Sequence, residues 1–426
     1  MWVQGRRALW VIWGSAIISF MVNLFSFQCG LYRGFHGEQE MGKVDADDVV
    51  SILEFFKDLE DPRSTINRVH LLGDLIVICV LAVIAGADGP KAIGVWAKAH
   101  EEWLQRRLSL PGGIPSHDTI GRLLATLKPQ AFQHCFEAWI ATLREPDEGE
   151  TENSQEHIAI DGKAVRRSHD RRRDLGPLFL VSAWSVRRGI SLGQLATAEK
   201  SNEITAIPEL LDQIDFTNAV ITIDAAGCQR EIAEKVIDGR GDYLLALKGN
   251  QGTLHDEVED YVLANMENDF ADVPARKYEE VVKGHGRIDT LTYYQMPVPD
   301  CLTTRGKWKG LRTIGVAIRI SKQGDKETSD VRHYISSTKM GVRRFAERVR
   351  GHWGIENTLH WCLDVTFRED ESRLRDRHAA DNLAWLKRFA ISLLKQQTDK
   401  ESVAMRRRMA GWNPGYLAQV LGISGT

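Results

Sequence analysis

The sequence predicts an α/β protein in which a helical region precedes a mixed sheet, and two patterns carry this prediction. Apolar residues recur at helical spacing between about residues 41 and 145, whereas short apolar strands begin near residue 157. Three of these strands follow one another directly, and the later strands alternate with helices. Successive strands favour antiparallel pairing, and strands joined by helices favour parallel pairing, because a parallel pair needs a crossover connection.

Amphipathic helices account for the first region. Asp47 or Asp48 can cap a helix whose apolar residues follow at i, i+3, i+4 and i+7, namely Val49, Ile52, Leu53 and Phe56. The apolar run Leu75–Ala85 is too short to span a bilayer and predicts a buried helix. Further helices are predicted over Ala92–Arg107, His117–Leu127 and Ala131–Leu143. The helix after Ser116 allows a helix-turn-helix that binds DNA, although the pattern favours a bundle helix.

Strands dominate after the acidic, polar segment Glu145–Glu156, which we interpret as a linker. The predicted elements are strands at His157–Ile160, Leu178–Ser185 and Ile190–Thr197, a helix at Thr205–Ile214, a strand at Ala219–Ile223, a helix at Gln229–Ile237 and a strand at Tyr243–Leu247. This order, β-β-β-α-β-α-β, is typical of a ribonuclease H-like sheet. Residues 157–398 would form that domain, and residues 399–426 a basic C-terminal tail. A strand-rich insertion is expected at about 253–335, with strands at Lys277–Met296, Leu311–Ser321 and Val331–Ser336.

Composition limits the classes of protein that remain. Hydrophobic residues make up 43% and charged residues 27%, with 12 prolines, which excludes a largely disordered or fibrous chain. The formal net charge of −3 excludes a polybasic nucleic-acid coat, so any DNA affinity must come from local clusters. The six cysteines are scattered without a CxxC pair, which favours a reducing cytoplasm over a disulfide scaffold or a zinc module.

The first forty residues form an apolar extension that allows two interpretations. Ala8–Phe27 contains no charged residue and follows Arg6 and Arg7, as a transmembrane helix or signal anchor would. Alternatively, this stretch is upstream sequence read through from an early start, and Met41 is the true beginning. The second interpretation is favoured, since a capped helix follows Met41, and it predicts a cytoplasmic protein.

Three carboxylates stand where a functional site would form. Asp161 ends or lies within the first strand, Asp224 ends the fourth, and Glu356 falls in a late helix. Each alone would usually be a turn, capping or solvated residue. In the inferred sheet, however, the first and fourth strands are neighbours, and two carboxylates ~4 Å apart repel by about 4 kcal/mol at an effective dielectric of 20. A site that gathers them needs a cation, and oxygen ligands select Mg²⁺ or Mn²⁺, two of which can support phosphoryl transfer.

Eight segments occur in a distinctive order: IAIDGKAVRRS, EKSNEITAIPELL, VITIDAAGCQREIAEKV, GDYLLALKGNQG, KGHGRID, RHYISS, RVRGHWGIENTLHWCLDVTFRED and RDRHAADNLAWLKRFA. Through them the chain, from about Asp47 to Gly425, resembles the DDE insertion-sequence transposases of the H-repeat-associated (ISAs-one type) branch. The resemblance implies that Asp161, Asp224 and Glu356 hold two Mg²⁺ or Mn²⁺ ions. It also implies metal-dependent cleavage at element ends and strand transfer into target DNA. The partners would be double-stranded DNA, both terminal inverted repeats and target, and a second copy in the active complex, with no small-molecule substrate.

The sequence departs from related families around the glutamate. Those families carry Tyr-x2-Arg-x3-Glu-x6-Lys, whereas His352 and Leu363 occupy the Arg and Lys positions here. Arg350, His352 and Trp353 therefore become candidates for DNA contact, without a clear assignment of which one contacts the backbone. His360 and Asp364 lie at i+4 and i+8 from Glu356. They could orient the metal ligands through hydrogen bonds, or could simply pack and form ion pairs.

Basic clusters near the carboxylates are candidates for phosphate contact, against the alternative of a solvated surface. The residues that follow Asp161 are Lys163, Arg166, Arg167, Arg171, Arg172 and Arg173. Others precede Glu356, at Arg343, Arg344, Arg348 and Arg350, or lie near the end, at Lys387, Arg388, Lys395 and Arg406–Arg408. Lys248 and Asn250 could contact phosphate or base, or simply form a strand-end turn.

The leading hypothesis is a metal-dependent DNA strand transferase. Three alternatives remain: a catalytically silent or domesticated DNA-binding protein of the same fold, a simple nuclease with the same site residues, and a membrane-anchored protein with a nuclease-like domain.

Overall fold

The structure, a computed structural model, describes residues 53–66, 68–142, 155–197, 203–284 and 286–422. The apolar extension 1–40, the predicted helix start at Asp47 or Asp48 and most of the predicted linker lie outside these residues. Across the part of the chain that is described, no helix combines the length and the apolar character needed to cross a membrane.

Helices flank a long mixed sheet. The α-helices are α1 (Leu72–Ile84), α2 (Pro90–Ala99), α3 (Glu101–Gln105), α4 (His117–Thr126), α5 (Pro129–Thr142), α6 (Glu203–Gln213), α7 (Arg230–Asp238), α8 (Gly252–Met266), α9 (Val342–Ile355), α10 (Arg377–Lys395), α11 (Val403–Trp412) and α12 (Pro414–Val420). The strands are β1 (Glu156–Val165), β2 (Leu178–Ser185), β3 (Ile190–Thr197), β4 (Ala219–Ile223), β5 (Asp242–Leu247), β6 (Arg276–Gly284), β7 (Arg287–Pro297), β8 (Thr313–Gln323) and β9 (Lys326–Ser336).

The helical region packs on the late helix α10. Helix α1 is buried from Asp74 to Ile84, which confirms the predicted buried helix. Ser116 caps α4 by accepting a hydrogen bond from the Thr119 amide at 3.2 Å, and the buried face of α4 lies against α10, as in a bundle. The single helix predicted over Ala92–Arg107 is wrong, because the backbone leaves helical geometry at His100 (φ −111°, ψ 21°) and divides it into α2 and α3.

The sheet has the strand order β3-β2-β1-β4-β5-β9-β8-β7-β6. Strand β1 is antiparallel to β2 and parallel to β4, and β4 is parallel to β5. Helices α6 and α7 supply the crossovers that these parallel pairs require. Three antiparallel strands followed by two parallel ones form a ribonuclease H-like sheet, which confirms the predicted fold class.

The strands of the predicted insertion extend this sheet. β6 to β9 form an antiparallel meander, and β9 pairs with β5 from Leu244↔Ser336 to Leu247↔His333. The strand-rich stretch predicted over Lys277–Met296 consists of two strands, β6 and β7, which meet at Gly284↔Arg287. Sequence alternation alone did not show this reversal.

The C-terminal part closes one face of the sheet. Helix α9 runs directly into two π-helical segments, Glu356–His360 and Cys362–Thr366. Nearly all of α10 is buried, between the sheet and the helical region. Residues 399–426 were expected to form a basic tail. Their described part instead contains α11 and α12, with Arg406 and Arg407 buried.

Candidate active site

Strand register brings the two aspartates together. The parallel pairing of β1 and β4 runs from Glu156↔Ala219 to Ile160↔Ile223, so Asp161 and Asp224 follow the last pair on adjacent strands. Asp161 Oδ1 accepts a hydrogen bond from the Gly162 amide at 2.9 Å. Asp224 Oδ1 accepts from the Ala226 amide at 3.0 Å, which fixes its carboxylate in the turn after β4. The carboxyl ends of parallel strands are where open sheets bind ligands.

Glu356 completes this group of acids. It stands where α9 passes into the π-helical segments, a rare backbone form that is frequent at functional sites. Asp161, Asp224 and Glu356 line one cavity of about 240 Å³, which His352 and Lys248 also line. The structure therefore brings together all three carboxylates that the sequence singled out.

Asp161 is the acid of this cavity whose ionisation is disfavoured. Burial raises the pKa of Asp161 to about 7, although the Gly162 amide opposes the shift. The carboxylates of Asp224, Glu203 and Glu356 raise it further. An aspartate that resists ionisation beside other acids marks a place where a cation would be stabilised.

Glu203 is a fourth acid that the sequence argument did not single out. It lies in the segment EKSNEITAIPELL, at the start of α6, and is 4% exposed. A Cβ at Gly162 would lie 2.7 Å from Glu203 Oε1 and 2.6 Å from Phe179 Cε1, so a larger residue there would displace these side chains. The sequence signal for Glu203 was its position in EKSNEITAIPELL, one of the segments on which the family resemblance rests.

His352 lines the cavity and His360 contacts Asp161, and burial disfavours the charged form of both. Burial lowers the pKa of His352 to about 4, and its Nδ1 lies 3.1 Å from Thr222 Oγ1. Burial also lowers the pKa of His360 to about 3, and its Nδ1 lies 3.5 Å from Asp161 Oδ2. His352 therefore does not bring a positive charge to DNA, as the arginine at its position in related families would.

The donor set of the cavity fits a hard divalent cation. Asp161, Asp224 and Glu356 supply carboxylate oxygens, which are the ligands that Mg²⁺ and Mn²⁺ prefer. Burial and the neighbouring carboxylates both raise the pKa of Asp161, and a bound cation would oppose this shift. The acidic cavity would be stabilised by such ions, which these three residues would hold.

The exposed arginines after β1 remain candidates for contact with DNA. Arg167, Arg171, Arg172 and Arg173 are all exposed. Arg166 is exposed as well, with its Nε 3.1 Å from Asp370 Oδ2.

Three candidates nearer the cavity have partners within the protein. Arg350 forms an ion pair with Glu280 at 2.7 Å, and the Arg332 guanidinium lies 3.9 Å from the centroid of the half-exposed Trp353 ring. Asn250 donates a hydrogen bond to the Ala225 carbonyl at 2.7 Å and so braces the turn after Asp224.

Several cations expected to contact phosphate are buried, which corrects the sequence prediction. Lys163 is 8% exposed, and its ammonium is surrounded by three carboxylates. Arg388 is fully buried and pairs with Glu369 at 2.7 Å. Lys387, Arg406 and Arg407 are also buried. Lys163 pairs with Asp370, 207 residues away, so the basic pattern alone could not separate it from a surface cation.

A ribonuclease H-like sheet with three carboxylates gathered at one cavity is an arrangement suited to metal-dependent phosphoryl transfer. Residues 152–394 match the family described as Transposase DDE domain, and residues 53–140 match the family described as DDE_Tnp_1-associated. The chain belongs to the DDE transposase family, and it is an enzyme of that family. The resemblance seen in the sequence is confirmed.

Relatives extend over almost the whole chain. YncI of Escherichia coli O157:H7, which is named as a transposase, is 38% identical over 88% of this chain and 95% of its own length. YhhI of Escherichia coli K12, named as an H repeat-associated transposase, is 37% identical over 88% of this chain and 98% of its own. A solved piggyBac transposase synaptic complex with hairpin DNA has a TM-score of 0.37 at 10% identity, over 88% of this chain and 78% of that one, a likeness too weak to carry an argument.

Proposed function

We propose that this transposase cleaves DNA at the ends of its element and joins those ends to target DNA by in-line phosphoryl transfer at two Mg²⁺ or Mn²⁺ ions. The observation that supports this most directly is the register of β1 and β4. Ile160 pairs with Ile223, so Asp161 and Asp224 lie side by side, and Glu356 lines the same cavity. Three convergent carboxylates are suited to such ions and poorly suited to act as independent acids or bases.

The three carboxylates would hold the ions and form no covalent bond with DNA. When bound, the ions would activate the attacking oxygen and stabilise the leaving oxygen. In the first step water attacks the phosphodiester at an element end, and the broken P–O bond leaves a 3′-hydroxyl. In the second step that hydroxyl attacks target DNA, so one phosphodiester forms as another breaks. His360 would keep Asp161 oriented through its contact at 3.5 Å.

The DNA would lie across the cavity and the exposed arginines. Arg166, Arg167 and the loop Arg171–Arg173 follow Asp161 and are exposed, as contacts to a phosphate backbone require. Lys248 lines the cavity itself. Arg350 and Trp353 lie on α9, the helix that directly precedes Glu356. We propose double-stranded DNA as the partner, a homodimer as the active complex, and the cytoplasm, where the DNA is, as the location.

Purified full-length protein incubated with Mg²⁺ and DNA that carries the element's own flanking ends tests this proposal. We expect nicked ends with 3′-hydroxyls and joined products. Binding without cleavage would support a catalytically silent DNA-binding protein instead. Cleavage without joined products would indicate a simple nuclease.

A further inference from the structure

Lys163 belongs to a buried ionic cluster that links β1 to the segment after Glu356. Its Nζ lies 2.7 Å from Asp364 Oδ1, 3.1 Å from Asp370 Oδ1 and 3.4 Å from Glu369 Oε2. An ammonium has three N–H donors, and three carboxylates surround this one. A phosphate would have to displace one of them to reach Lys163.

The cluster extends to the strand beside Asp161. Glu369 Oε1 lies 2.7 Å from Arg388 Nη1, and Arg388 Nε donates to Ser182 Oγ at 3.2 Å. Ser182 is the residue of β2 that pairs with Asp161. Glu369 is therefore held by Lys163 of β1 and by Arg388 of α10, and the Arg388 guanidinium also contacts β2 at the residue that pairs with Asp161.

The same cluster fixes the π-helical segments. Glu356 begins the first segment and Asp364 lies in the second, so one continuous helical stretch joins them. This stretch meets β1 at His360, beside Asp161, and at Asp364, beside Lys163. Fixing Asp364 to β1 thus limits how far Glu356 can move from Asp161.

Stability alone does not account for this arrangement. Burying charged groups costs desolvation energy, and apolar residues of similar volume often stabilise a fold equally well. Glu369 is 1% exposed and Arg388 fully buried, so this ion pair lies in the interior of the protein. What such a cluster supplies is a defined geometry.

We propose that Lys163 is a positioning residue, which sets the distance of Glu356 from Asp161 by holding Asp364, Glu369 and Asp370 against β1. This inference rests on the proposed function, since it takes those two carboxylates as metal ligands. It assigns Lys163 no contact with DNA.

Two measurements on full-length Lys163→Met distinguish positioning from phosphate contact. The first is Mn²⁺ affinity without DNA, followed by electron paramagnetic resonance of the free ion. The second is the dependence of log DNA affinity on log salt concentration, measured without metal. We expect Mn²⁺ affinity to fall at least tenfold, Lys163→Arg to restore part of it, and the salt slope to stay unchanged. A slope lower by about 0.9 with unchanged Mn²⁺ affinity would overturn the proposal. An unchanged Mn²⁺ affinity together with an unchanged salt slope would also overturn it.

Controls separate the failure of this inference from that of the proposed function. Asp364→Asn keeps Lys163 and removes one of its carboxylate partners, and we expect it to weaken Mn²⁺ binding. If Lys163→Met does not fold, this variant tests whether the cluster positions the metal ligands. Lys309→Met removes a surface lysine that also contacts two carboxylates, Asp238 at 2.6 Å and Glu234 at 3.3 Å, and should change neither measurement. If Glu356→Gln binds Mn²⁺ like the wild type while Lys163→Met does not, the proposed ligand set is wrong and Lys163 still positions a metal site.

Discussion

At the residue scale, the ionisation of Asp161 links the stability of the fold to pH. Its side chain is 18% exposed, and its pKa in the folded protein is about 7, against an ordinary value of 3.8. Between these values the folded state holds a proton that the unfolded state has lost. Stability therefore falls as pH rises through this window, and the full penalty is present above pH 7.

We predict that Asp161→Asn raises the free energy of unfolding at high pH in the absence of metal. The neutral side chain removes a penalty of up to about 4 kcal/mol above pH 7, and the gain should shrink steadily towards pH 4. Denaturant unfolding between pH 5 and 8, with Asp300→Asn at a 99% exposed carboxylate as the control, measures this. A gain that does not depend on pH would contradict the assignment of the shift to Asp161.

Residues with local signals were easier to predict than residues with distant partners. Asp161 and Asp224 each follow an apolar strand, so the strand order alone predicted that they meet. Lys163 could not be classified in this way, because its partner Asp370 is 207 residues away. A lysine beside an aspartate in a basic segment looks the same in sequence whether it binds phosphate or is buried among carboxylates.

At the element scale, the loop between β1 and β2 presents arginines from a fixed turn. Asp170 and Leu175 form an isolated β-bridge, and Asp170 Oδ1 accepts from the Arg172 amide at 3.0 Å. Arg171, Arg172 and Arg173 project from this turn into solvent. A loop held at its base can present charges to a duplex with little loss of conformational freedom.

We predict that replacing Arg171, Arg172 and Arg173 with Gln weakens DNA binding without sequence preference. Each lost phosphate contact should lower the slope of log affinity against log salt by about 0.9. A titration across salt concentrations measures the slope. Arg305→Gln, which removes an arginine paired with Asp300 at 2.6 Å, is the control. An unchanged slope in the triple variant would make this loop an ordinary solvated surface.

Elements were predictable where their period was regular. The strands β2, β3, β4 and β5 were expected within a residue or two of their bounds. The π-helical segments after Glu356 were not, because their apolar spacing differs little from that of an α-helix over so few turns. The division of the insertion into four strands likewise depends on pairing across the sheet, which the sequence does not display.

At the scale of the whole molecule, Arg407 joins the helical region to the π-helical segments that follow α9. Its Nη2 lies 2.9 Å from Asp88 Oδ1 and donates to the Ala87 carbonyl at 3.0 Å. Its Nε donates to the Val83 carbonyl at 3.2 Å, and its Nη1 to the carbonyl of Thr366, the last residue of the π-helical segments. One buried guanidinium therefore satisfies groups from both parts of the fold.

We predict that Arg407→Met lowers the free energy of unfolding by about 2–4 kcal/mol, because it removes the donor to the Ala87 and Thr366 carbonyls and the ion-pair partner of Asp88. The adjacent, exposed Arg408 offers a matched control, and Arg408→Met should change stability by no more than about 0.5 kcal/mol. Chemical denaturation of the two variants measures the difference. Equal stability of both would show that this buried link contributes nothing.

The central claim is that Asp161, Asp224 and Glu356 together hold the metal ions that cleave DNA. The most direct measurement compares Mg²⁺-dependent cleavage of element-end DNA by the wild type with that by Asp161→Asn, Asp224→Asn and Glu356→Gln. Each variant is nearly isosteric and removes one anionic ligand while easing repulsion among the acids. Our account predicts three folded proteins without detectable cleavage. A single variant that folds and cleaves at nearly the wild-type rate would contradict it.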